Sequence, residues 1–84
     1  MPKDLITYQY QDTNICVRRY WNRTELLFNE KVVDCRKGIV EIAYCLKGEI
    51  GKGIITVSMM PNLFLGGDMT LYINGVSVAK AFKL

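Results

Sequence analysis

The residues best suited to chemistry run from Arg18 to Arg23: Arg18-Arg19-Tyr20-Trp21-Asn22-Arg23. A guanidinium presents a planar fork of donors to phosphate oxygens, and an aromatic ring offers a base a face to stack on. Arg18, Arg19, Tyr20, Trp21 and Arg23 therefore form the pattern by which single-stranded nucleic acid is held. The plain alternative is a strand end with solvated arginines and an aromatic covering the edge of a core. A net charge of +3 permits weak attraction to a polyanion without requiring one. Gly48-Glu49-Ile50-Gly51-Lys52-Gly53 is glycine-rich enough to suggest a phosphate loop. It lacks the Gly-x-x-x-x-Gly-Lys-Ser/Thr spacing, and no helical pattern follows whose N-terminus could hold a phosphate. The segment Lys47–Gly53 reads instead as a flexible turn.

The remaining titratable groups argue against catalysis. There is no histidine, which removes the commonest general base, the commonest metal ligand and any Ser-His or Cys-His arrangement. Glu25, Glu30, Asp34, Glu41, Glu49 and Asp68 fall at no metal or acid–base spacing, and the one foreseeable pair, Glu25 with Asp34 across two strands, is like-charged. Cys16, Cys35 and Cys45 are odd in number and lack a C-x-x-C spacing. They read as reduced thiols, small apolar residues buried in strands of a cytoplasmic protein. No catalytic residue, metal site or cofactor is expected, and the chain reads as non-enzymatic.

The elements that must position these residues are strands. The chain of 84 residues is one domain, and an apolar content of 50% is enough for a single core. No apolar run approaches the ~20 residues of a membrane span, and Met1-Pro2-Lys3-Asp4, whether an intact N-terminus or a trimmed one, lacks the apolar segment of a secretory signal. Thr70-Leu71-Tyr72-Ile73-Asn74-Gly75-Val76-Ser77-Val78 sets Asn-Gly between two alternating apolar runs, the strongest short-range sign of a hairpin. A two-residue type I′ turn there puts Ile73 opposite Val76 and Leu71 opposite Val78, with Tyr72 and Ser77 on the other face. Glu25-Leu26-Leu27-Phe28-Asn29-Glu30-Lys31-Val32-Val33 echoes it 45 positions earlier, without a gap. The same logic pairs Phe28 with Lys31 and Leu26 with Val33.

Asp4–Gln11, Ile15–Tyr20 and Ile54–Met60 are further alternating runs, with turn chemistry at Asp12-Thr13-Asn14 and a stop at Pro61; Ile39–Leu46, almost wholly apolar between Gly38 and Gly48, reads as a strand, with a short helix as the competing reading. The expectation is an all-β fold, an antiparallel β-sandwich or small open barrel of about eight short strands, built as a pseudo-repeat of two β units. The two units would bury Leu26, Phe28 and Val33 against Leu71, Ile73 and Val78, because a lone hairpin is marginal in water.

Leu27-Phe28-Asn29-Glu30-Lys31-Val32-Val33-Asp34-Cys35-Arg36-Lys37-Gly38, followed later by Leu71-Tyr72-Ile73-Asn74-Gly75, resembles small uncharacterised bacterial proteins with paired Asn/Asp-centred hairpins. In strand-hairpin rhythm alone the chain is also similar to the all-β domains of Fas apoptosis inhibitory molecule proteins. The first resemblance implies the paired-hairpin fold and no activity. Function then rests on contact. Met59, Met60, Leu63, Phe64 and Leu65 crowd a segment that should be a polar surface turn; either Leu63 and Phe64 fold back to plug an open end of the sandwich, or the patch meets another copy, and the expectation is a self-associating protein-interaction module using it. The alternative is the single-stranded nucleic-acid reading above.

Overall fold

The computed structural model describes residues 3–38, 43–61 and 67–83. The strands there follow one another in chain order: β1 (Lys3–Tyr10), β2 (Thr13–Arg19), β3 (Arg23–Phe28), β4 (Lys31–Lys37), β5 (Tyr44–Ile50), β6 (Gly53–Pro61), β7 (Gly67–Ile73) and β8 (Val76–Lys83). They form two antiparallel four-stranded meanders, β1-β2-β3-β4 and β5-β6-β7-β8, in a sandwich-like arrangement that is not closed into a barrel. Among the described residues no helix is long and apolar enough to cross a membrane. The expected strand start at 39–42 and loop residues 62–66 lie outside the described residues.

The core lies between the sheets. Ile6, Ile15, Val17 and Leu26 come from the first, and Leu46, Ile55, Val57, Met59, Met69, Leu71 and Ile73 from the second. The two sheets repeat one pairing scheme. Ile15 faces Phe28 and Val17 faces Leu26 in one, while Ile55 faces Ile73 and Val57 faces Leu71 in the other. Alternation along each strand sends these side chains inward and their neighbours out.

Both expected hairpin turns form, and they share a device invisible to turn propensity. Positive φ occurs at both central residues, Asn29 (50°) and Glu30 (66°), and Asn74 (52°) and Gly75 (82°). Asn29 exchanges two hydrogen bonds with the backbone of Asn14. Its N–H donates to the Asn14 carbonyl at 2.8 Å, and its Oδ1 accepts the Asn14 N–H at 2.8 Å. Asn74 does the same with Ile54, at 2.8 and 2.9 Å. Each asparagine thus ties its turn to the strand on the far side, satisfying backbone groups the turn would leave unpaired.

The registers slip one residue beyond each turn. Ile73 opposes Val76 and Tyr72 opposes Ser77 as expected, but Leu71 opposes Ala79 rather than Val78. Likewise Leu27 opposes Val32, yet Leu26 opposes Asp34 and Glu25 opposes Cys35, so the expected Glu25–Asp34 like-charge pair does not form. The extra residue is Val33 in one hairpin and Val78 in the other, at matching places in the repeat. A bulge sharpens strand twist and bends the strand. In β4 that bend serves the junction with β5, where the Asp34 carboxylate accepts the Cys35 N–H through one oxygen and the Lys47 N–H through the other, each at 2.8 Å. Val33 is consequently 40% exposed instead of belonging to the core.

The glycine-rich segment also departs from expectation. Lys47–Ile50 is strand, and the turn is only Gly51-Lys52, with Gly51 at φ 59°. Gly48 is needed for close approach between sheets: a Cβ there would lie 2.7 Å from Cζ of Phe28 and 3.2 Å from Cγ2 of Val33. The first turn likewise sits one residue early, at Gln11-Asp12.

Candidate functional site

The basic-aromatic residues do not share a face. Alternation sends Arg18 to the outer side of the first sheet and Arg19 to the end of the core, beside buried Thr24. The Arg19 guanidinium donates to Thr24 Oγ1 at 3.3 Å and to the Gly38 carbonyl at 3.4 Å. Tyr44 of the second sheet donates its hydroxyl to the same Thr24 oxygen at 2.9 Å, so this end of the core carries a polar link between sheets. Arg18 Nε contacts Asp4 at 2.6 Å, and its terminal nitrogens meet both Glu30 oxygens at 3.2 and 3.4 Å. Those bonds, Asp4 first and then Glu30, raise the Arg18 pKa above its ordinary value, and the same guanidinium holds the Asp4 carboxyl below its own. Arg23 pairs with Glu25 at 2.9 Å, which raises its pKa, and stacks 3.7 Å over the Tyr20 ring. Trp21, at the β2–β3 connection, is 79% exposed.

The outer face of the first sheet therefore carries its own ion pairs, with Val32, opposite Leu27, exposed beside them at 47%. Beneath them lie Cys16 and its cross-strand partner Leu27, both buried although they point away from the main core. Burial, then the neighbouring Asp4 carboxylate, pushes the Cys16 thiol up to about 11. Cys35 and Cys45 are exposed, contrary to the expectation that all three thiols are buried, because each sits on a sheet-edge strand with its side chain outward. Among the described residues no cluster of three His, Cys, Asp or Glu could hold a metal.

The outer face of the second sheet is built differently. Ile54, Thr56, Ser58 and Met60 follow one another along β6, with Asp68, Thr70 and Tyr72 beside them on β7 and Lys80 beyond Thr70 on β8. A shallow depression of about 160 Å³ lies between Ser58, Met60, Asp68, Thr70, Tyr72 and Lys80. Ile54 is 54% and Met60 59% exposed. Of the residues singled out for an interface, Met60 belongs to this face. Met59 is in the core at 1% exposure, because it alternates inward opposite Met69, and is closed off from any partner. Leu63, Phe64 and Leu65 lie outside the described residues. Sequence reasoning passed over Ser58, Thr70, Tyr72 and Lys80. The signal was present: they are the polar half of the alternation whose apolar half was assigned to the core.

No protein-family model matches the chain, and no curated protein or solved structure matches it either. The hairpin resemblance read from the sequence therefore rests on those residues alone.

Proposed function

We propose that this protein is a non-enzymatic protein-interaction module that associates with itself and works in the cytoplasm. The carrying observation is the contrast between its two outer faces. That of the first sheet holds Asp4–Arg18–Glu30 and Arg23–Glu25 pairs, with Val32 as its exposed large apolar side chain among the described residues. That of the second presents exposed Ile54 and Met60 among the hydroxyls of Thr56, Ser58, Thr70 and Tyr72. Tyrosine, methionine and short hydroxyl side chains suit contact surfaces, because they bury area and make hydrogen bonds at small entropic cost. The fold also buries little per residue at this size, so a dimer stabilises it further.

A second reading keeps one observation of its own. Trp21 stands exposed beside the Arg23–Tyr20 stack, as a base-stacking residue should. Against it, Arg18 and Arg23 already hold carboxylates, which a phosphate must displace. Sedimentation velocity over a range of concentrations, run beside fluorescence anisotropy with a labelled single-stranded oligonucleotide at low salt, separates the two. Concentration-dependent association without oligonucleotide binding is the expected result. A monomer throughout, together with salt-sensitive oligonucleotide binding lost in Trp21→Ala, would overturn it in favour of the second reading.

A further inference from the structure

We infer that the surface through which two copies meet is the outer face of the β5–β8 sheet, and that the contact is two-fold symmetric with Asp68 of each copy against Lys80 of the other. The inference rests on the self-association proposed above and names its surface and its partner, a second copy of this chain.

Charge points to that partner. The whole molecule is net positive, so two copies repel on average. Among the described side chains of this face the charges balance: Lys47 and Lys80 are matched by Glu49 and Asp68, and all four are exposed. A two-fold interface must be complementary to itself, residue i meeting j while j meets i. Asp68 and Lys80 suit that requirement. Neither makes a salt bridge among the described residues, and they flank one depression from neighbouring strands. The outer face of the first sheet has no such pair to offer, since its arginines Arg18 and Arg23 are already engaged within their own chain.

The register supplies a second match. Met60 opposes Asp68, and Thr70 opposes Lys80. Strands spaced ~4.8 Å apart with a rise of ~3.4 Å per residue place these positions on a grid. The two-fold axis that sets Asp68 over Lys80 also carries Met60 to within roughly 4 Å, in projection, of Tyr72 on the other copy. A flexible exposed thioether then meets the edge of a half-buried ring, a favourable contact, and it does so twice. The face itself, four strands wide and seven residues long on β7, has a projected area of about 450 Å², at the small end for a specific interface. The dimer is accordingly weak, and its detection needs protein at high micromolar concentration or above.

The test is a charge exchange read by sedimentation equilibrium. Asp68→Lys alone creates two Lys–Lys contacts in the dimer, and Lys80→Asp alone creates two Asp–Asp contacts. Each should weaken association by about tenfold or more. Mixing the two variants one to one restores opposite charges at both contacts, as does the double variant Asp68→Lys/Lys80→Asp. Both should recover dimer. Both side chains are exposed, so circular dichroism and thermal melting of each variant should match the wild type and serve as the folding control. A wild type that associates with unchanged strength in both single variants overturns this interface while leaving self-association standing. Weakened single variants that neither mixing nor the double exchange rescues overturn the Asp68–Lys80 contact. A wild type that is monomeric at every concentration removes self-association and this surface with it.

Discussion

Gly48→Ala is the sharpest test of how the sheets meet. Gly48 lies within β5, where its backbone could accommodate any residue, since its φ is outside the left-handed region. What forbids a side chain is the opposite sheet. An added Cβ would stand 2.7 Å from Cζ and 2.8 Å from Cε2 of Phe28, and 3.2 Å from Cγ2 of Val33. Real carbon atoms do not approach so closely, so the Phe28 ring must turn or the sheets must part. Overpacking of this kind costs ~1–3 kcal/mol. Replacing glycine by alanine also restricts the unfolded chain, which returns ~0.4–1 kcal/mol to the folded state. The expected net loss is about 1–2 kcal/mol, a fall in melting temperature of about 4–16 °C for a domain of this size. Chemical denaturation of the wild type, Gly48→Ala, Phe28→Leu and the double variant closes a thermodynamic cycle. Shortening Phe28 removes the Cζ and Cε2 that the new methyl would strike, so the double variant should be more stable than the sum of the single losses implies, by about 0.5–1.5 kcal/mol. If the two losses add within experimental error, or if Gly48→Ala stabilises, the Phe28 ring does not require a glycine at position 48 and some other contact sets the spacing of the sheets.

Three further outcomes are expected. Glu30 holds φ 66°, a conformation glycine adopts without strain, and its side chain makes only an exposed pair with Arg18. Glu30→Gly should therefore raise stability by about 0.5–1 kcal/mol in urea unfolding, after allowance for the few tenths of a kcal/mol lost with the pair. A decrease would mean that the Arg18–Glu30 contact outweighs the backbone strain. Cys16 titrates near 11 in the fold, against an ordinary value near 9.0. Above pH 9 the unfolded chain releases the thiol proton while the folded protein retains it, so the folded state holds more protons and stability falls as pH rises from 9 towards 11. Cys16→Ala should flatten that fall, and a thiol reagent at pH 8 should modify two thiols, Cys35 and Cys45, in the native protein and all three in denaturant; reaction of all three in the native protein would count against the burial of Cys16.

The strand content, the two asparagine-centred turns and the doubled unit were determined by the sequence alone. Those features depend on neighbours a few residues apart: period-two alternation, and the tolerance of Asn and Gly for positive φ. Everything that depends on a residue distant in sequence was decided by the tertiary structure. The bulges at Val33 and Val78 are one such feature, since turn chemistry favours unbroken pairing and the bend of β4 makes sense only where Asp34 reaches Lys47. The glycines of residues 48–53 are another. By composition they are a loop, yet Gly48 and Gly53 lie in strands against Phe28 and Tyr10, because a glycine is also what a strand needs where another side chain comes too near. The arginines are the third. Consecutive in the chain, Arg18 and Arg19 face opposite ways, and the carboxylate nearest Arg18 belongs to Asp4 on the neighbouring strand. Local spacing can place a charge on a strand, but only the pairing of strands supplies its counter-ion, because an ion pair is set by distance in space.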